Sequence, residues 1–398
     1  MRELCFSPML YFIIVHFLLL TRVHELIPLL SLLSLVKVGY LAFFLSYGVE
    51  MLVCQKQKRS KESNFLSLLL IMLLGYVACQ LNFLRHTEEL LKRYLFFMVT
   101  LFSIVAIINR NNSSKDVMAL LIATIFASLV TGVQFLLVFI TTVSKAIDRP
   151  KLETANGDPN LGGWIIGSSI PLCLYLMQRC RSKVAKLAWL LALLFLILSL
   201  LITFSRSAFL VMVLSLLLSS LFTKKSALLA CLLVTAAVAL VVVNPTNSER
   251  VDFLNIFKER TVVVLDQAYN FRVQSIATGM EFIAEFPLFG VGYEQSAYLM
   301  NRYVGMGPTI HNDSYAIHNG VVVAFAELGI IGGMFYLIPF VMVVAWSICR
   351  KQSLLMATLL FSVLMQMTVP MAYSYVSYFA LVLGAILLPD HLKLQEKF

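Results

Sequence analysis

The sequence predicts an all-α, polytopic integral membrane protein of about 12 transmembrane helices, with one long outer loop containing short helices. Three observations carry this. Of 398 residues, 60% are hydrophobic and 13% charged, whereas soluble domains run nearer half apolar and a quarter charged. Apolar stretches long enough to cross a bilayer recur along almost the whole chain. The basic residues fall mainly in alternate loops, as the positive-inside rule requires of a multi-pass protein.

The spans lie near 8–20, 28–54, 64–84, 94–109, 116–143, 161–178, 184–204, 207–222, 226–243, 329–348, 353–370 and 373–389. The first is short but is followed at once by another apolar segment, and it has no small-residue cleavage site, so it does not read as a removed leader. The second carries Lys37 and Glu50 within an apolar stretch. With the N-terminus inside, the inner segments hold 17 Lys and Arg; the outer ones hold 8 once the loop 244–318 is set aside. Long loops count little in this rule. Both termini are therefore expected inside, and Ser205–Ser207, the loop 144–160 and the loop 244–318 outside.

The net charge of +10 suits basic inner loops or contact with anionic lipid. No basic stripe with interleaved aromatics is present, so nucleic acid is not an expected partner. None of the seven cysteines has metal-ligand spacing.

Three outer features hold the polar chemistry. In "LLITFSRSAFLVM" (201–213), Arg206 sits between two spans with almost no loop around it. A charge there must meet a partner, water or headgroups. In "AYNFRVQSIATGMEFIAEFPLFGVGYEQ" (268–295), an amphipathic helix begins near Arg272 with Met280, Phe282, Ile283 and Phe286 as its apolar residues, and it stops at Pro287. In "IHNDSYAIHNGVVVAFAELGIIGG" (310–333), His311 and His318 are seven apart, about 10 Å along a helix at ~1.5 Å per residue, too far to share a metal ion. Glu327, nine residues beyond His318, falls on another face and is expected to receive a buried donor; Gly329, Gly332 and Gly333 read as a helix end or a packing seam.

Together, "SRSA", "FRVQSIATGMEFIAEFPLFGVG" and "HNGVVVAFAELGIIG" resemble the O-antigen ligase/polymerase family of bacterial membrane glycosyltransferases. His318, Asn319, Glu327 and Gly329 fit the family's last motif; His311 does not, since Gly320 stands nine residues after it. "GDPNLGG" (157–163) also looks like an outer-face signature of these proteins. The similarity is best over about 157–348. It implies N-terminal transmembrane helices over 1–156 and a catalytic region over 157–398 that includes the loop 244–318.

The resemblance implies a donor glycan on undecaprenyl diphosphate, transferred at the periplasmic face of the bacterial inner membrane to a hydroxyl of lipid A core or of another glycan. Arg206 and Arg272 would hold the departing diphosphate, with neither metal nor cofactor, and His318 would take the acceptor's proton. Asp158, Asn160, Asn319 and Tyr293 are candidate sugar contacts, although Asp158 and Asn160 read equally as a turn and cap before a span. Direct displacement implies inversion at the anomeric carbon. Ligase is the leading reading, because a basic outer loop suits a phosphorylated core acceptor. A repeat-unit polymerase of the same family is the alternative, and a lipid flippase using Lys37 and Glu50 is the second.

Overall fold

The computed structural model describes residues 7–26, 34–53, 61–80, 87–110, 112–142, 158–220, 272–303, 317–349, 353–369, 372–373 and 375–387. The expected span at 226–243, His311 and most of the loop 244–318 lie outside them. Every regular element among the described residues is a helix. In hydrocarbon a backbone must satisfy its own polar groups, and uninterrupted Leu-, Ile- and Phe-rich runs do so by coiling.

In chain order the helices are α1 (Pro8–Thr21), α2 (Val23–Leu26), α3 (Leu35–Val53), α4 (Lys61–Gln80), α5 (Thr87–Asn109), α6 (Ser114–Thr142), α7 (Pro159–Arg179), α8 (Lys183–Ile202) and α9 (Arg206–Ser220). They continue with α10 (272–285), α11 (Ser296–Tyr303), α12 (Gly320–Cys349), α13 (Ser353–Gln366) and α14 (Tyr375–Leu387). Seven of the described helices are long and apolar enough to cross a membrane, namely α3 to α8 and α12. The chain is thus a multi-pass, all-α membrane protein. Helices α1, α9, α13 and α14 match expected spans in position but fall short of a full crossing length, so the described residues give seven full-length spans rather than twelve.

Near the start of α6, Ser113 and Asp116 cap each other: the Ser113 amide donates to Asp116 Oδ2 (3.0 Å) and the Asp116 amide to Ser113 Oγ (3.2 Å). Arg110 joins this corner, with Nε 3.0 Å from both Glu50 carboxylate oxygens and Nη1 3.0 Å from Asp116. Glu50 is therefore an ion-pair member, and Lys37 is exposed in the first turn of α3. Glu50 is thus not a lone charge, and the support it lent to transport falls away.

Helix α7 is the most enclosed span, 89% buried against 17% for α3. Small residues on α7 let its neighbours close in. A Cβ on Gly163 would lie 2.6 Å from Ala208 of α9, and one on Gly167 would lie 2.3 Å from Phe361 of α13. The start of α7 is thereby pressed against the start of α9.

Helix α12 runs for 30 residues but breaks at Gly329, where φ is 65° and ψ −172°. At the break the turn after α10 takes over the helix's hydrogen bonds. Ile330 N donates to Pro287 O (2.8 Å), while Ala326 O and Glu327 O accept from Val291 N and Gly292 N (2.9 Å each). The backbones touch closely enough that a Cβ on Gly329 would stand 2.3 Å from Leu288 O. Gly329→Ala faces both that clash and a left-handed φ. It is expected to destabilise the protein by about 2 kcal/mol or more, read as a lower melting temperature in detergent.

Glu327, 3% exposed, accepts from the Glu294 amide (2.9 Å) and from the amide and hydroxyl of Ser296. It does receive buried donors, as the sequence suggested. Helix α10 is described from Arg272 onward, and its buried face is largely small and polar. Ser275, Thr278, Gly279 and Phe282 are buried, whereas Met280 and Phe286 are 55% and 42% exposed. The reason is close approach: a Cβ on Gly279 would sit 2.6 Å from Val322 of α12, so the small face turns inward.

Candidate functional site

The site is built at helix starts. Asp158 caps α7, its Oδ1 accepting from the Asn160 amide at 2.6 Å, with Pro159 preset for the first helical position. Asn160, 8% exposed, turns its Oδ1 toward α9 and accepts from the hydroxyls of Ser205 (2.8 Å) and Ser207 (3.0 Å). Ser205 Oγ also receives the Ala208 amide (3.2 Å) and so caps α9. Phe204, at φ 51°, makes the sharp reversal that lets α8 run into α9 with almost no loop. Arg206 is thus held between two serines fixed to Asn160. It is partly buried and has no ion-pair partner among the described residues.

Arg272 opens α10. Ser275, one turn on, donates its hydroxyl to Arg272 O (2.9 Å) and accepts from the His318 backbone amide (3.4 Å). Asn319 then starts α12, its Oδ1 accepting from Val321 N (3.1 Å) and Val322 N (3.0 Å). Two opposed charges act on the His318 ring. Its pKa is lowered from the ordinary 6.5, first by burial and then by the Arg272 guanidinium, while the Asp158 carboxylate pulls the other way. The imidazole is therefore mostly neutral at pH 7 and able to accept a proton.

The starts of α7, α9 and α12 gather in this one region, beside the Arg272–Ser275 turn of α10. A helix start carries a partial positive charge, and the first turns of α7, α9 and α12 hold no acidic residue. Two guanidiniums add to that field and Asp158 opposes it. The ensemble favours an anion beside a neutral base.

Arg272 and Asp158 both act on His318, and Asn160, beside Asp158, holds the two serines that flank Arg206. Asn160 and Asn319 both spend a carbonyl oxygen on local structure. Tyr293 is not part of this group. It is 1% exposed, and its ring packs on Tyr94, Phe97 and Tyr373 at centroid distances of 6.3, 5.8 and 4.7 Å, leaving no face for a sugar. The turn at 286–292 carries Tyr293 inward, which a count of interfacial tyrosines does not reveal. Ser205, Ser207 and Ser275 were missed by the sequence reading. The serines on either side of Arg206 were the available signal for the first two.

The fold is that of a multi-pass membrane protein, and the candidate site groups arginine and histidine residues near the ends of its helices. Residues 191–337 match the family model described as O-Antigen ligase, which supports assignment to the O-antigen ligase/polymerase family. The matched stretch contains Arg206, Arg272, His318, Glu327 and Gly329, and leaves Asp158 and Asn160 outside it. A comparison with curated proteins finds no match.

Proposed function

We propose that the protein transfers a glycan from undecaprenyl diphosphate to an acceptor hydroxyl, with a lipid A core sugar as the acceptor, at the periplasmic face of the bacterial inner membrane. The observation that carries this is His318, tied through its backbone amide to Ser275 of α10 (3.4 Å) and acted on by both Arg272 and Asp158.

As the sugar–phosphate bond breaks, the bonding electrons leave with the diphosphate. Arg206 and Arg272, with the helix starts around them, hold the added negative charge in bidentate fashion. The acceptor oxygen attacks the anomeric carbon from the opposite face and inverts it. Its proton passes to His318, whose lowered pKa keeps the ring ready to receive it. Asp158 then faces an imidazolium and steadies it.

Residues with basic side chains support the orientation. Arg179, Arg181, Lys183 and Lys186 cluster where α7 ends and α8 begins, at the opposite end of these helices from Asp158 and Arg206.

The test is product analysis with purified protein, polyprenyl diphosphate-linked glycan, and lipid A core present or absent. Glycan joined to core only when core is supplied supports the ligase. Lengthened lipid-linked glycan made without core supports the polymerase, and no glycosidic product with either rejects the transferase reading.

Asp158→Asn offers a finer check. Asparagine also caps helices well, so the fold should survive while the charge is lost. The Asp158 carboxylate raises the His318 pKa, so its removal lowers that pKa further. Activity that depends on the neutral ring is lost as pH falls through its pKa, and this acid limb is expected to move to lower pH in the variant's kcat profile.

A further inference from the structure

Two polar side chains of α4, far from the matched segment, reach into the joint between α10 and α12. Gln80, the last residue of α4 and 7% exposed, donates from Nε2 to Phe289 O (2.6 Å) and accepts the Tyr293 amide on Oε1 (3.1 Å). One amide side chain thus grips both ends of the turn. One helical turn earlier, the Tyr76 hydroxyl donates to Leu328 O (2.8 Å), next to the break in α12. The Tyr76 ring fits there because residue 332 is glycine: a Cβ would lie 2.5 Å from it. From α5, Arg93 adds an ion pair to Glu294 at 3.0 Å.

We propose that Gln80 and Tyr76 are positioning residues for the transfer site, a claim that rests on the function proposed above. Helix α10 has its contact with α12 at Gly279, about midway between Arg272 and Pro287. At ~1.5 Å per residue each arm is roughly 10 Å long. A shift of the turn about that contact therefore moves Arg272 by a comparable distance the other way. Gln80 and Tyr76 hold the turn arm against the same helix that carries His318. Misplacement of a reacting group by about 1 Å costs on the order of 10²-fold in rate. A span from outside the matched segment thereby sets the distance between guanidinium and imidazole.

The experiment uses the full chain in lipid nanodiscs, as Tyr76→Phe, Gln80→Leu and the double variant. Spin labels at Val273 and Ile330, both exposed, report the distance from the start of α10 to α12. Turnover is measured with a polyprenyl diphosphate-linked glycan. The expected result is a broadened or shifted distance in the variants, with kcat lowered about tenfold or more and donor KM within about twofold. Wild-type distance and wild-type kcat would overturn the proposal, and so would a lower kcat at an unchanged distance. Tyr76→Phe removes one hydroxyl and keeps the ring, so it decides the matter even where Gln80→Leu fails to fold. Absence of glycan transfer by the wild type would reject the function, and the distance measurement would still decide the positioning.

Discussion

His318→Ala is expected to lower kcat by roughly 10²–10⁴-fold, the usual worth of a positioned general base, while donor binding is retained. The ring's electrostatic neighbours are Arg272 and Asp158, and its backbone amide is tied to Ser275. Truncation removes the proton acceptor without touching the Asn319 cap that starts α12. Stability should therefore change little, and bound polyprenyl diphosphate-linked glycan should still be recovered with the variant. Wild-type turnover in His318→Ala would remove the histidine from the reaction.

Arg272→Ala is expected to cost about 10²–10³-fold in kcat, as loss of one strong donor to a developing anion does elsewhere. It carries a second signature. The guanidinium is one of the causes that depress the His318 pKa. Without it that pKa rises toward the ordinary value of 6.5. The base works when neutral, so the acid limb of the kcat profile is expected to move to higher pH, opposite to the shift for Asp158→Asn. Arg272→Lys restores the charge and hence the limb, but recovers only part of the rate, because an ammonium lacks the two-pronged donor geometry. A profile unmoved by both substitutions would separate the three groups.

The sequence made the spans legible because in lipid there is little choice of structure for a long apolar run. Arg272 and His318 were picked out by the family resemblance, whereas Arg206 was marked directly, since a charge between two spans must have a reason to be there. Glu327 was legible as an acceptor for the same reason. What joins these residues was not legible. The hydrogen bonds from Gln80 to Phe289 and from Tyr76 to Leu328 span more than 200 residues, and no local pattern records them. The inward face of α10 was not legible either, because close approach to α12 selected Gly279 while the apolar Met280 and Phe286 stay exposed. Tyr293 was misjudged likewise: its residue type suits an interface, and only the path of the turn shows it enclosed.

The gathering of helix starts around Arg206 and Arg272 has a kinetic corollary on the proposed reaction. A cradle whose attraction grows with the charge it holds grips the spent carrier lipid harder than the loaded one. Discharge of that lipid, rather than bond making, would then pace the cycle, and added free polyprenyl diphosphate would compete with donor at concentrations below the donor's own KM.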